Sequence, residues 1–171
     1  MASERFLAAL NEQIAREFAA AHQYIAVGNY YVAETFPQLA AFFYKQAEEE
    51  REHAMKMVGY VLDRDGTPDI GAIDAPRQSF ADHIEPIKIA LEQERKVTVR
   101  ISELFEIARE TRDYQGEQFI QWFLEEQVEE EASMSDLLAV AERTRTVPML
   151  LEEYLARETP RAQPGPGADP S

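Results

Sequence analysis

The sequence predicts an all-α protein: a four-helix bundle with one long crossover loop plus a short fifth helix at the C-terminal end. Three observations carry this expectation. Apolar residues recur at spacings of three and four, and period-two alternation is missing from residues 1–158. Gly and Pro gather at a few points and leave long stretches of helix formers between them. Two of the breaks between those stretches are short and one is long.

Taken in order, a first helix runs from about Glu4 to Glu34 and stops at the Thr35-Phe36-Pro37 turn. A second starts near Gln38, with Pro37 at its head, and lasts to about Asp65. Residues 66–81 (GTPDIGAIDAPRQSFA) hold two Gly and two Pro and read as a long connection. Asp82 and Glu85 have the spacing of a capping box, with Pro86 in the first turn of a third helix ending near Arg112. Asp113 caps a fourth helix, to about Arg143. Thr146 and Pro148 begin a fifth, ending near Glu158, whose apolar face of Met149, Leu150, Tyr154 and Leu155 needs a partner.

Loop lengths set the topology. Short turns make the first and second helices, and the third and fourth, antiparallel neighbours. A helix of roughly 28 residues is about 42 Å long, whereas a loop of roughly 16 residues reaches about 53 Å when extended. The middle connection can therefore cross the whole bundle and leave the second and third helices parallel. Residues 1–158 form one domain by this reading, and residues 159–171 (TPRAQPGPGADPS) a disordered tail. That tail reads as an inert end, with a docking peptide as the alternative.

Composition narrows the function classes. The net charge of −15, from 32 acids against 17 bases, argues against nucleic acid as a partner. No apolar run approaches a bilayer span, so no membrane role is expected. The N-terminus MASERFLAAL carries charges where a signal peptide needs an apolar stretch. Cysteine is absent, which rules out disulfides and thiolate metal sites, and a cytoplasmic protein fits best.

The informative residues are acids on apolar faces. Spacings of three and four give Phe6, Leu10, Ile14, Glu17, Ala21, Tyr24, Gly28 and Tyr31 on the first helix. They give Leu39, Phe43, Gln46, Glu50, His53, Met57 and Tyr60 on the second. The third supplies Ile87, Leu91, Glu94, Thr98, Ile101, Phe105 and Ala108; the fourth, Phe119, Phe123, Gln127, Glu130, Met134, Leu137 and Ala141. Each stripe is apolar at both ends and acidic near its middle. In a bundle of equal helices those middles share one level, so Glu17, Glu50, His53, Glu94, Gln127 and Glu130 converge. Buried carboxylates protonate, pair or bind metal, and no Lys or Arg lies on the four stripes. Four carboxylates balance two divalent cations, and carboxylates with one imidazole suit iron or manganese.

Taken singly, each signal has a bland reading. Glu50-x-x-His53 sits in an acidic run that solvent can account for, and so do Glu129, Glu130 and Glu131, of which Glu131 is expected to be exposed. Registration on four helices together is what favours a metal site.

The segments LNEQIAREF with Tyr24, QAEEEREHA, LEQERKVT and QWFLEEQVEEE, in that order, resemble the bacterial non-haem ferritins over residues 4–158. A finer likeness is to actinobacterial ferritins with a C-terminal tail. The resemblance implies the ferritin-like fold, iron storage and a ferroxidase centre that oxidises Fe(II) with dioxygen or peroxide. By that resemblance Glu17, Glu50 and His53 hold a first iron, and Glu50 bridges to a second held by Glu94 and Glu130, with Gln127 nearby. Glu49, Glu126 and Glu129, with Glu130, match a third site. Tyr24 matches a tyrosine that supplies an electron; the simpler alternative is a core aromatic hydrogen-bonded to a site carboxylate. Where bacterioferritins have a second Glu-x-x-His, this chain has Gln127-x-x-Glu130, so the second iron is expected to be held loosely. Arg51 and Glu52 stand where their haem-binding methionine would fall, so no haem is expected, and Met55 and Met57 read as packing residues.

The family also implies a homo-oligomer, a cage of 24 chains with the fifth helix at its four-fold contacts, and leaves open a larger encapsulating shell reached through the tail. The rivals are di-iron enzymes that do not store metal, a mini-ferritin with its site between subunits, and a metal-free interaction module.

Overall fold

The computed structural model describes residues 3–158. The tail expected at residues 159–171, and any encapsulation through it, lie outside the described residues. Among the described residues there are five helices and no strand: α1 Glu4–Ala33, α2 Pro37–Asp63, α3 Glu85–Glu110, α4 Tyr114–Arg143 and α5 Met149–Glu158.

The ends of the long helices follow from local chemistry. The Ser3 hydroxyl accepts from the Phe6 N–H and so caps α1, while a carboxylate oxygen of Asp113 accepts from Gly116 N–H and caps α4. The other oxygen of Asp113 accepts from the Ser3 N–H at 3.0 Å, tying the starts of α1 and α4 together. Helices α1, α2 and α3 all end the same way. Thr35, Asp65 and Arg112 take left-handed backbone (φ 64°, 58° and 55°). The N–H of the following residue then bonds five residues back: Phe36 to Tyr31, Gly66 to Val61, Asp113 to Ala108. Asp65 thus ends the second helix two residues earlier than expected.

The capping box at α3 is half formed. Asp82 Oδ1 accepts from the Glu85 N–H at 2.9 Å, but Glu85 returns its carboxylate to the N–H of Ala81 rather than Asp82. Residues 81–84 are bent, and the regular helix begins only at Glu85.

Three anchors trace the crossover along α1. Asn11 bonds the Thr67 carbonyl and the Asp69 N–H, Gln23 bonds both backbone groups of Arg77, and the Tyr31 hydroxyl donates to the His83 carbonyl. Rising residue numbers in the loop follow rising residue numbers in α1. Residues 64–84 therefore run the length of α1, and α3 starts at the end of the bundle where α2 starts. The two helices are parallel, as loop length required.

The interior is divided. One apolar cluster holds Tyr24, Tyr31, Leu39, Phe43, Ile87, Met134 and Leu137. The other holds Phe6, Leu10, Ile14, Met57, Ile101, Ile120 and Phe123. Between them lies a polar waist. Close packing of α1 on α2 beside it depends on Gly28, where a Cβ would come within 2.6 Å of the Tyr44 ring.

Burial departs from the stripes at several positions. Tyr60, Phe105 and Phe119 are half-buried but still pack against the core, Thr98 is half-buried, and Leu104 and Ile120, beside Phe105 and Phe119, are fully buried. Met57 is buried but Met55 is exposed, so Met55 does not pack in the core. Glu131 is half-buried, because it flanks Glu130 at the edge of the inward face. On α5 the buried residues are Leu151, Glu152 and Leu155, while Met149 and Leu150 face outward.

Candidate metal centre

The waist is made by the four long helices turning acid or amide inward between their apolar ends, over about two turns on α2 and one turn or less on the others. Buried there are Gln13 and Glu17 from α1, Gln46, Glu50 and His53 from α2, Glu94 from α3, and Gln127 and Glu130 from α4. Registration of four helices has placed in one layer what no single stripe could argue for.

Glu17, Glu50 and His53 each bring one ligand atom to within 4.8 Å of the other two. His53 Nδ1 lies 3.9 Å from Glu17 Oε2 and 3.7 Å from Glu50 Oε2. Those separations are too long for hydrogen bonds. They suit atoms sharing a cation, since two ligands each about 2.1 Å from one ion lie at most about 4.2 Å apart. Glu17 Oε2 is buried and receives no hydrogen bond from an ordinary donor, so without a cation its burial is eased only by a proton shared between the Glu17 and Glu50 carboxyls. The His53 ring stands edge-on to Trp122 and Phe123, so packing fixes its plane. The donor set of oxygens with one imidazole fits Fe(II).

A second group of potential ligands joins His53, Glu126 and Glu130. Glu94 belongs to neither group: its Oε1 takes a short hydrogen bond from the Tyr24 hydroxyl, and its Oε2 takes one from Gln127 Nε2 at 3.3 Å. The same amide also reaches the Glu94 carbonyl and the Thr98 hydroxyl. Glu49 is half-buried, bonded to Gln46 at 2.7 Å and paired with Lys45 at 3.2 Å. Glu129 is exposed and lies outside both groups.

Electrostatics mark the waist as a place that resists negative charge. Burial raises Glu17 well above the usual carboxylate range, and the neighbouring Glu50 charge adds to it. Burial likewise raises Glu50 and Glu94. Glu130 is pushed up to about 8, by burial first and then by Glu94, Glu49 and Glu126. Burial and the surrounding carboxylates also raise the Tyr24 hydroxyl, so it stays a donor. A cation held there would offset the repulsion and displace the protons.

Gln13 was missed by the stripe reading. It is buried, one turn before Glu17, and donates to Glu17 Oε1 at 2.7 Å. Its spacing of four from Glu17 was the available signal.

A family model described as Ferritin-like domain matches residues 7–144. The chain is 46% identical over 164 residues to a protein named Ferritin BfrB from Mycobacterium tuberculosis, covering 96% of this chain and 91% of that one. It is 44% identical over 132 residues to a protein named bacterial non-heme ferritin from Staphylococcus aureus, covering 77% and 80% respectively. Among solved structures it resembles an open pore ferritin from the archaeon Archaeoglobus fulgidus, with TM-score 0.86, 31% identity and coverage of 91% and 98%.

Proposed function

The chain belongs to the ferritin family, and from that premise we propose that it oxidises Fe(II) at the waist of its bundle and stores the ferric product inside a hollow shell of its own copies. One observation carries the site: Glu17, Glu50 and His53 bring three ligand atoms within 4.8 Å of one another in a buried layer shared by four helices.

Fe(II) is substrate here. Glu17, Glu50 and His53 hold the first ion; Glu50 also reaches the second, with Glu94 and Glu130. Four carboxylates neutralise two Fe(II) ions, so binding drives off the protons that burial holds on Glu50 and Glu130. Dioxygen or peroxide then takes one electron from each ion. Two Fe(III) ions leave two positive charges unbalanced, and oxygen-derived anions must supply the difference, which weakens the protein's own hold on the product. Tyr24, through its bond to Glu94, positions that carboxylate and is placed to pass an electron. Gln127 is engaged with Glu94 and adds no second imidazole. A third iron site at Glu49, Glu126 and Glu129 with Glu130 is part of the reading; it is supported by Glu126 lying beside Glu130 and by the Glu49 charge acting on it. Haem has no part in the proposal.

Assembly into 24 chains rests on family membership, and the outward-facing Met149 and Leu150 of α5 suit a contact between copies. A cytoplasmic location belongs to the same reading. Among the described residues no helix is long and apolar enough to cross a membrane.

Aerobic addition of Fe(II), followed by iron retained per chain and particle size, tests the proposal. Retention far beyond two irons per chain in a large particle is expected. Two or fewer on a small oligomer would leave a di-iron enzyme without storage.

A further inference from the structure

The first-metal ligand Glu17 has unequal oxygens. Its Oε1 accepts at 2.7 Å from the side-chain amide of Gln13, and its Oε2 receives no hydrogen bond from an ordinary donor and faces His53 Nδ1 at 3.9 Å. Gln13 is itself 1% exposed, and its own Oε1 is buried with no partner. An amide left half-satisfied at that depth costs free energy that the apolar residue of similar size would not. The cost is intelligible if the donated half does something a packing residue cannot.

We propose that Gln13 is a positioning residue for the metal centre: its amide fixes Glu17 so that only Oε2 is presented to the first iron, while its side chain closes the waist against an outer groove. This rests on the proposed di-iron reading. The groove lies between α1 and α3, has a volume of about 200 Å³, and is lined by Glu12, Gln13, Arg16, Arg100 and Glu103 among others. Gln13 stands between that groove and Glu17. An ionised Glu17 demands the NH2 end of the amide, because two facing acceptors repel; the donor thus favours the charged form that a metal needs. A carboxylate pinned at one oxygen has lost most of its freedom to rotate before metal arrives.

The test is anaerobic Co(II) titration of the assembled protein, read by calorimetry and by the visible spectrum of the bound ion. Gln13→Met keeps length and burial but removes the donor. Gln13→Asn keeps the donor but withdraws it from Glu17. Wild type is expected to bind at least two Co(II) per chain. Both variants should bind the first about 10–100-fold more weakly, with the second ion and the particle size unchanged. If both variants fold and bind the first Co(II) as wild type does, Gln13 is a packing residue and the proposal falls. If Gln13→Met fails to assemble, Gln13→Asn alone decides by the same criterion. A wild type that binds no Co(II) at the waist fails the di-iron reading, and a variant-specific loss on an intact wild type fails only a packing account.

Discussion

The carboxylate of Glu152 on α5 accepts from the backbone N–H of Leu39 at 2.9 Å, and its other oxygen accepts from that of Gln38 at 2.7 Å. The first turn of a helix leaves N–H groups without partners, and Phe36, which precedes α2, has no side chain able to cap them. A residue far along the chain supplies the cap, and in doing so docks α5 on α2 together with the buried Leu151 and Leu155.

Glu152→Ala should therefore destabilise the chain by about 1–2 kcal/mol, the usual worth of a lost cap. For a domain of this size that is a fall in Tm of roughly 2–8 °C, read by calorimetry on the metal-free protein. Glu152→Gln, which keeps one acceptor, should recover part of the loss. Co(II) affinity at the waist should not change in either variant. A Tm equal to that of wild type would mean that α5 is held by its leucines alone.

The waist carboxyls make the stability of the metal-free protein depend on pH in a definite direction. Glu130 is raised to about 8 in the folded chain, whereas an unfolded glutamate titrates near 4.5. A group raised by folding contributes stability that is complete below its unfolded pKa and is lost as pH rises through its folded pKa. Metal-free wild type should thus lose stability between about pH 5 and pH 8 through this residue. Glu130→Gln should match wild type near pH 5 and exceed it near pH 8. Thermal unfolding of both proteins across that range is the check, and a variant less stable at both ends would contradict the assignment.

Tyr24 and Glu94 give a third test. The hydroxyl bonds one carboxylate oxygen while Gln127 holds the other, so Glu94 is oriented from two sides. Tyr24→Phe keeps the ring tilted against Phe43 and removes one of those bonds. The second Co(II) should then bind about 10-fold more weakly, with the first unaffected. If Co(II) binding is untouched but aerobic Fe(II) oxidation slows, the hydroxyl serves electron transfer and not positioning.

Much of this was legible in the sequence because burial of acid is so unusual. Glu17, Glu50, Glu94 and Glu130 could be found by stepping along each helix, and all four are buried in one layer. The crossover followed from loop length alone, and the structure adds only the anchors at Asn11, Gln23 and Tyr31. What stayed hidden depended on contacts between distant segments. Nothing about Glu152 announces that it caps a helix begun more than a hundred residues earlier. How the face of α5 divides stayed hidden for the same reason: Leu155 packs within the chain while Met149 and Leu150 face outward, and an apolar residue does not say what it will be buried against. Gln13 was passed over because one amide on a helix is ordinarily solvated, and its meaning comes only from the carboxylate one turn away.

The two proposed metal positions are unlike, since only the first has an imidazole at close range to its own carboxylates. Gln127 Nε2 makes contacts of 3.2–3.3 Å to the Glu94 carbonyl, Glu94 Oε2 and Thr98 Oγ1, all at the long end of hydrogen-bond geometry and shared by one amide. It steadies Glu94 without offering the proposed second metal an imidazole. Histidine at this position faces the same layer three residues before Glu130, which repeats on α4 the Glu50–His53 spacing of α2 in reverse order. Gln127→His should tighten the second Co(II) by about 10-fold, the scale of one added or oriented ligand contact. If product leaves through that position, tighter binding slows its departure: oxidation of the first two Fe(II) per chain should stay fast, while turnover beyond them slows several-fold in stopped-flow measurements. Gln127→Leu separates the added ligand from the lost amide, because it weakens the hold on Glu94 and gains nothing. Multi-turnover oxidation unchanged in Gln127→His, with Co(II) bound more tightly, would show that ferric product does not leave by way of the second site.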